Sequence, residues 1–132
     1  MTEQAERIDL DSPLDGDFQA VVRLIIGGIA ERVDFAFEEI DDLQLAVERL
    51  LAESGEQGSV HLCFEVAEDT IRARVGPLRE GSIAESLRDG DPGRPGQLTL
   101  KRILQTVVDS FAVERSDDGR VVVRLEKLKG WA

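Results

Sequence analysis

The sequence contains no asparagine, and it has a single cysteine and a single histidine among its 132 residues. One cysteine excludes an intramolecular disulfide, and without a cysteine–histidine cluster there is no pattern for a structural zinc site. No stretch approaches the ~18 apolar residues of a membrane span, and the first residues show neither a basic segment nor an apolar run. We therefore expect a soluble protein of the cytoplasm, with no membrane partner.

Basic residues are in the minority, with 16 against 27 acidic residues and a formal net charge of -11. This charge repels a polyphosphate backbone, so direct binding of nucleic acid is not expected. It can steer a basic protein partner toward the surface, although a merely solubilising or salt-adapted surface would have the same charge. The length and the 42% of hydrophobic residues predict one domain, residues 1–132, with its own core.

Three segments carry apolar residues at helical spacing: 18–33, 38–54 and 98–110. Phe18 counts among the apolar positions of the first segment. Gly27 and Gly28 lie inside it and weaken a helix by roughly 1 kcal/mol each relative to alanine, which suggests close helix packing. A further short helix is expected at 83–87, before a stretch too rich in glycine and proline for regular structure.

Five segments alternate polar and apolar residues as strands do: 7–10, 60–66, 71–75, 111–115 and 121–128. One side of each segment is polar, so helices should cover only one face of the sheet. The sequence therefore predicts a two-layer α/β sandwich with a mostly antiparallel sheet.

The most specific pattern lies in the second helical segment, EEIDDLQLAVERLLAE, residues 38–53. From Arg7 through the last strand, the order of elements resembles the anti-sigma-factor serine kinases, a bacterial branch of the GHKL ATPases with the Bergerat fold. The helix of that family runs roughly D-x-x-L-A-V-S-E-A-x-x-N. This chain has the same residues at the first, fourth, fifth and sixth positions of that pattern, which are Asp42, Leu45, Ala46 and Val47. The resemblance implies the Bergerat type of α/β sandwich.

In the family this helix presents a glutamate as general base and, four residues on, an asparagine that binds magnesium. The matching positions here are Arg49 and Glu53. Sliding by one residue places Glu48 at the base position but Ala52 at the asparagine, and no register restores a residue that the chain lacks. We interpret Arg49 and Glu53 as a helix-surface ion pair, the alternative being magnesium binding by the Glu53 carboxylate.

The family's adenine-binding box, D-x-G, aligns with VGPLREG, so Pro77 replaces the aspartate and Arg79 the glycine. Proline offers no side-chain acceptor, and adenine recognition of the family's kind is thus lost. The glycine-rich lid reads RPGQLTLKRIL and keeps only Gly96 as a candidate for holding phosphate at a helix N-terminus. Nearby Arg94, Lys101 and Arg102 can attract an anion or simply face water. We expect no cofactor, with ATP and magnesium only if the chain is a divergent kinase.

His61 and Cys63 lie two residues apart in one predicted strand and so share its polar face. A cysteine–histidine nucleophile is conceivable, but side chains at this spacing point in parallel, and no acid is placed by pattern to orient the imidazole. The glycines do not form a P-loop, since no G-x-x-x-x-G-K occurs. We therefore expect no catalytic residues.

Family members bind partner proteins on the first helix, where an arginine near its start contacts both the sigma factor and its antagonist. The matching residue is Arg23, whose planar guanidinium can bind a carboxylate with two hydrogen bonds; a snorkelling surface arginine is the alternative. Homodimerisation is implied by the resemblance alone.

Three functions remain open. The first, which we favour, is an anti-sigma-factor-like protein that binds a sigma factor or an antagonist without kinase activity. The second is a divergent serine kinase that uses Glu48 or Glu53. The third is a non-catalytic dimerisation partner of an active homologue.

Overall fold

The computed structural model describes residues 6–14, 16–54, 58–79, 83, 87, 99–115 and 118–130. Over these residues the chain forms, in order, β1 (Glu6–Pro13), α1 (Gly16–Arg32), α2 (Phe37–Glu53), β2 (Ser59–Val66), β3 (Thr70–Arg79), α3 (Leu100–Val107), β4 (Ser110–Arg115) and β5 (Arg120–Leu128).

The strands form one sheet in the order β1-β2-β3-β5-β4, and every neighbouring pair is antiparallel. Alternate residues of the inner strands are fully buried: Val60, Leu62, Phe64, Val66, Ile71, Ala73, Val75, Val121, Val123 and Leu125. The residues between them are mostly polar and partly exposed. The predicted two-layer α/β sandwich, with helices on one face, is therefore confirmed.

The helical layer packs around α2, which contacts α1 on one side and α3 on the other. The apolar side chains of this layer point into the core, and several of them are fully buried: Ile26, Leu43, Leu50 and Leu104. The start of α2 is fixed by Glu39, whose carboxylate accepts a hydrogen bond from the Ala36 N–H at 2.7 Å. Such a bond satisfies one of the amides that a helix N-terminus leaves without a partner.

The two glycines of α1 differ in their surroundings. A Cβ atom added at Gly27 would lie 3.2 Å from Nε2 of Gln44 on α2, whereas one at Gly28 would meet nothing within 4 Å. The interpretation that glycine marks close helix packing therefore applies to Gly27 only.

Several element boundaries differ from the sequence prediction. β1 has eight residues rather than the four of 7–10, because it pairs with β2 over its whole length, from Glu6 opposite Val66 to Pro13 opposite Ser59. α3 is shorter than 98–110, because Val108 is already extended and β4 begins two residues later. Local periodicity does not reveal either boundary, since strand pairing sets both.

β3 continues past the expected 71–75 to Arg79 through a shift of register between Val75 and Leu78. A Cβ atom at Gly76 would lie 2.8 Å from the carbonyl oxygen of Val121, so only glycine fits against β5 at this point. Of the short helix expected at 83–87, residues 84–86 lie outside the described residues. Ile83 and Leu87 are buried, and the Leu87 N–H donates to the Ile83 carbonyl at 3.0 Å.

Candidate functional site

Arg49 and Glu53 lie one turn apart on α2, where the resemblance places the general base and the magnesium ligand. Nη2 of Arg49 is 3.8 Å from Oε1 of Glu53, and the two side chains are 40% and 33% exposed. A pair this long and this exposed contributes a few tenths of a kcal/mol. The Nε atom of Arg49 is buried and has no hydrogen-bond partner. A fixed positive charge thus stands at the position where the family's chemistry needs a base.

The other described pocket positions, Pro77 and Arg79, lie on β3 rather than on α2. Pro77 lines a cavity of about 330 Å³ on the open face of the sheet, together with His61 and Arg74, whereas α2 packs on the opposite face. The register shift in β3 accounts for this orientation, because it adds residues between Val75 and Leu78. Arg79 is exposed at the end of β3. Gly96 and Arg94 lie outside the described residues.

Arg23 extends from α1 to α2 and is held there by two carboxylates. Its Nη1 donates to Oε1 of Glu48 at 2.6 Å, and its Nη2 donates to Oδ1 of Asp41 at 2.9 Å. Gln44, between these acids on α2, donates from Nε2 to the Arg23 carbonyl oxygen at 2.8 Å. The hydrogen bond to Glu48, followed by the charge of that carboxylate, raises the pKa of Arg23 above its ordinary value.

The acid pair was missed by sequence reasoning, which considered Glu48 only as a possible base. A signal was nevertheless present, because Asp41, Gln44 and Glu48 recur every three to four residues and form one polar row on α2. That row predicts a polar contact with a neighbouring helix, although the identity of the partner depends on how α1 packs.

Three apolar side chains lie on the surface of α1. Leu24 is 75% exposed, Val21 45% and Phe18 42%. These residues, spaced three apart, are called the α1 stripe below. Phe18, one of the apolar positions of the first helical segment, is exposed, whereas Val22 and Ile26 are buried. Contiguous exposed apolar side chains are typical of interaction surfaces.

His61 is bound between two carboxylates of β1. Its Nδ1 lies 2.6 Å from Oδ1 of Asp11 and its Nε2 lies 2.8 Å from Oδ1 of Asp9. The hydrogen bond to Asp11, then the one to Asp9, raises the pKa of His61. Arg7 donates to Asp9 at 3.0 Å, and the hydrogen bonds from Arg7 and His61 lower the pKa of Asp9 to about 2.

The sequence pattern placed no acid beside His61, and the structure places two. The alternation of Asp9 and Asp11 was visible in the sequence, but their position opposite His61 follows from the pairing of β1 with β2. Cys63 is buried, and burial is the main cause that raises the pKa of its thiol. A thiol that resists ionisation is a poor nucleophile. The described residues contain no group of histidine, cysteine and acid side chains arranged to hold a metal ion.

A groove lies between α2 and α3, with a volume of about 490 Å³. Its lining consists of Leu45, Arg102, Ile103, Gln105, Thr106 and Val107. Beside it, Nζ of Lys127 donates to the Val107 carbonyl at 2.8 Å and lies 3.3 Å from Oδ2 of Asp42. Asp42, which matches the family pattern, therefore pairs with β5 and joins the two helices to the sheet.

The fold and the arrangement of α2 define a GHKL-like α/β sandwich. No family model matches the chain. None of the helices in the described part of the chain has the length and apolar character needed to cross a bilayer.

Curated relatives identify the branch. A serine-protein kinase RsbW of Bacillus pumilus strain SAFR-032 is 30% identical over 139 residues, which cover 86% of this chain and 82% of that protein. The RsbW of Halalkalibacterium halodurans is 29% identical over 139 residues, covering 94% and 84%. The RsbW of Bacillus cereus strain Q1 is 27% identical over 145 residues, covering 93% and 86%. The chain belongs to the anti-sigma-factor serine kinase family.

Proposed function

We propose that the protein is an anti-sigma-factor-like regulator that binds a sigma factor or an anti-sigma antagonist through α1, without binding ATP or transferring phosphate. The observation that carries this proposal is the α1 stripe. A surface helix that leaves Leu24 75% exposed, with Val21 and Phe18 next to it, has apolar area available for a protein partner. Arginine is a common anchor of such interfaces, and Arg23 lies on the same helix.

The residues of α2 support the absence of kinase activity. Arg49 cannot accept a proton from a substrate hydroxyl, since a guanidinium stays charged at any physiological pH. Glu48, the alternative base, accepts a hydrogen bond from Arg23 at 2.6 Å. The chain has no asparagine to bind magnesium. A divergent kinase would need Glu48 or Glu53 to leave its arginine partner.

The charge of the protein indicates the chemistry of the partner surface. The net charge of -11 favours approach of a basic partner. Asp41 and Glu48 add acidic groups at Arg23, on the side of α1 that faces α2, so a partner that presents apolar side chains with lysine or arginine around them would match α1 and this edge of α2. Because sigma factors act in the cytoplasm, the proposal places this protein there.

A second candidate function is that of a non-catalytic dimerisation partner of an active homologue or of a second copy. The observation in its favour is β1, which has eight residues and lies at the edge of the sheet. An edge strand of this length exposes backbone groups that can pair with another strand. The two functions are compatible, since β1 and the α1 stripe belong to different elements.

The test is to capture partners from the native host with the tagged protein and to titrate the identified protein against variants. Leu24→Asp should weaken binding by at least about tenfold, or 1.4 kcal/mol, because it places a charge in the apolar contact. Phe37→Asp is the matched control, since Phe37 is 82% exposed on α2 and lies outside the α1 stripe. If neither a sigma factor nor an antagonist is recovered, or if both variants bind alike, the regulator proposal is wrong. Recovery of only a homologous kinase would support the dimerisation role.

A further inference from the structure

We infer that the groove between α2 and α3 binds a small organic anion with an apolar body, such as a medium-chain carboxylate. The apolar body would lie against Leu45, Ile103 and Val107, and the acidic head would bind Arg49 and Arg102. This inference does not depend on the partner of α1.

The shape and lining of the groove fit such a ligand. Its volume of about 490 Å³ is in the usual range of small-molecule sites. Leu45 is 38% exposed at its wall, so its side chain can contact a ligand in the groove. Gln105 and Thr106 add polar groups at the rim, although the Thr106 hydroxyl already donates to the Arg102 carbonyl at 2.8 Å.

The two arginines supply positive charge that is at most weakly paired within the described residues. Arg102 lines the groove from α3 and, within the described part of the chain, makes no ion pair. Arg49 follows Leu45 by one turn and so lies on the same side of α2. Its only ion pair in the described residues is the 3.8 Å contact with Glu53, and its buried Nε has no hydrogen-bond partner.

The other carboxylates of α2 close to this wall are already occupied. Glu48 accepts from Arg23, and Asp42 lies 3.3 Å from Nζ of Lys127. Beside the groove, Arg102 has no ion pair within the described part of the chain, and Arg49 has only the 3.8 Å contact with Glu53. Guanidinium groups bind carboxylates through paired N–H donors.

Decanoate, below its aggregation concentration, is the probe, and binding is followed by calorimetry and by amide chemical shifts. We expect decanoate to bind and to shift amides of α2 near Leu45 and of α3. Decanol lacks the negative charge of decanoate, and acetate lacks its apolar chain. Each should therefore bind at least about tenfold more weakly than decanoate. Arg49→Gln and Arg102→Gln should each weaken decanoate binding by about fivefold or more, because each removes a charged donor.

Arg32→Gln is the control, since Arg32 is an exposed arginine of α1 paired with Glu6 and remote from the groove lining. It should leave decanoate affinity unchanged. Leu45→Asp should abolish binding while the protein still melts cooperatively. Three results would overturn the inference: no binding of decanoate, equal binding by wild type and both arginine variants, or amide shifts confined to the α1 stripe. Displacement of decanoate by micromolar Mg-ATP would also overturn it, since the site would then be a nucleotide site.

Discussion

Arg23 of α1 and Glu48 of α2 form an ion pair in which Nη1 lies 2.6 Å from Oε1. This pair joins the helix that carries the α1 stripe to the helix that carries Arg49 and Glu53. The side chains are 43% and 30% exposed, so water screens the pair only in part. One residue therefore serves both the packing of α1 and the proposed interface.

Replacing Arg23 with alanine should affect stability and binding by different amounts. The free energy of unfolding should fall by about 0.5–1 kcal/mol, as for a partly exposed ion pair. Partner affinity should fall by more than about 1 kcal/mol if Arg23 is an interface anchor. A double-mutant cycle with Glu48→Gln, measured by urea unfolding, should give less than the sum of the single losses. Additive losses would mean that the two side chains do not interact in solution, and unaltered affinity would remove Arg23 from the interface.

The two glycines of α1 offer a matched test of how closely it packs on α2. Gly28→Ala should raise the free energy of unfolding by about 1 kcal/mol, because alanine favours the helix and meets nothing within 4 Å. Gly27→Ala should raise the free energy of unfolding by clearly less, because the added Cβ would lie 3.2 Å from Nε2 of Gln44, which already donates to the Arg23 carbonyl. Equal gains in thermal unfolding would contradict the close contact between Gly27 and Gln44.

His61 should make stability depend on pH. Its pKa is raised in the folded state by Asp11 and Asp9, so its contribution is complete below its ordinary pKa of about 6.5 and is lost as pH rises through the folded value. Asp9 acts in the opposite direction, because its pKa is lowered in the folded state. Its contribution to stability is complete above about pH 3.8 and is lost as the pH falls toward about 2. Melting temperatures of wild type and His61→Gln should therefore differ most between about pH 4 and 6.5 and converge in alkali. A constant difference from pH 5 to pH 9 would show that the imidazole is not charged in the folded state.

Local sequence patterns predicted the elements and the layer order, because apolar periodicity depends on which face of each element is buried. They could not supply the contacts that depend on packing. The partners of Arg23 required the relative position of α1 and α2, and those of His61 required the register of β1 on β2. The orientation of Pro77 required the register shift in β3, which no short pattern indicates. The residues that stand at the family's pocket positions could be identified from the sequence alone, because this requires only the alignment of one helix and one strand.

Restoring a single pocket residue should not restore phosphate transfer. Glu53→Asn supplies the missing amide but leaves Arg49 at the base position and Pro77 on the open face of the sheet. We expect no transfer of radiolabelled phosphate from ATP to a serine of an antagonist protein. Phosphorylation by this variant would show that the base lies elsewhere and that the alignment of α2 is displaced.

Nucleotide binding by the wild-type protein tests the central claim most directly. A ligand that binds only the folded state raises stability by RT ln(1 + [L]/Kd), so thermal unfolding reports binding without a labelled probe. Our account predicts no shift of the melting temperature with Mg-ATP or Mg-ADP up to about 1 mM, because even a Kd of 1 mM would add only about 0.4 kcal/mol. A clear increase at about 0.1 mM of either nucleotide would contradict the account, since it would show that the pocket still binds nucleotide without the family's asparagine and aspartate.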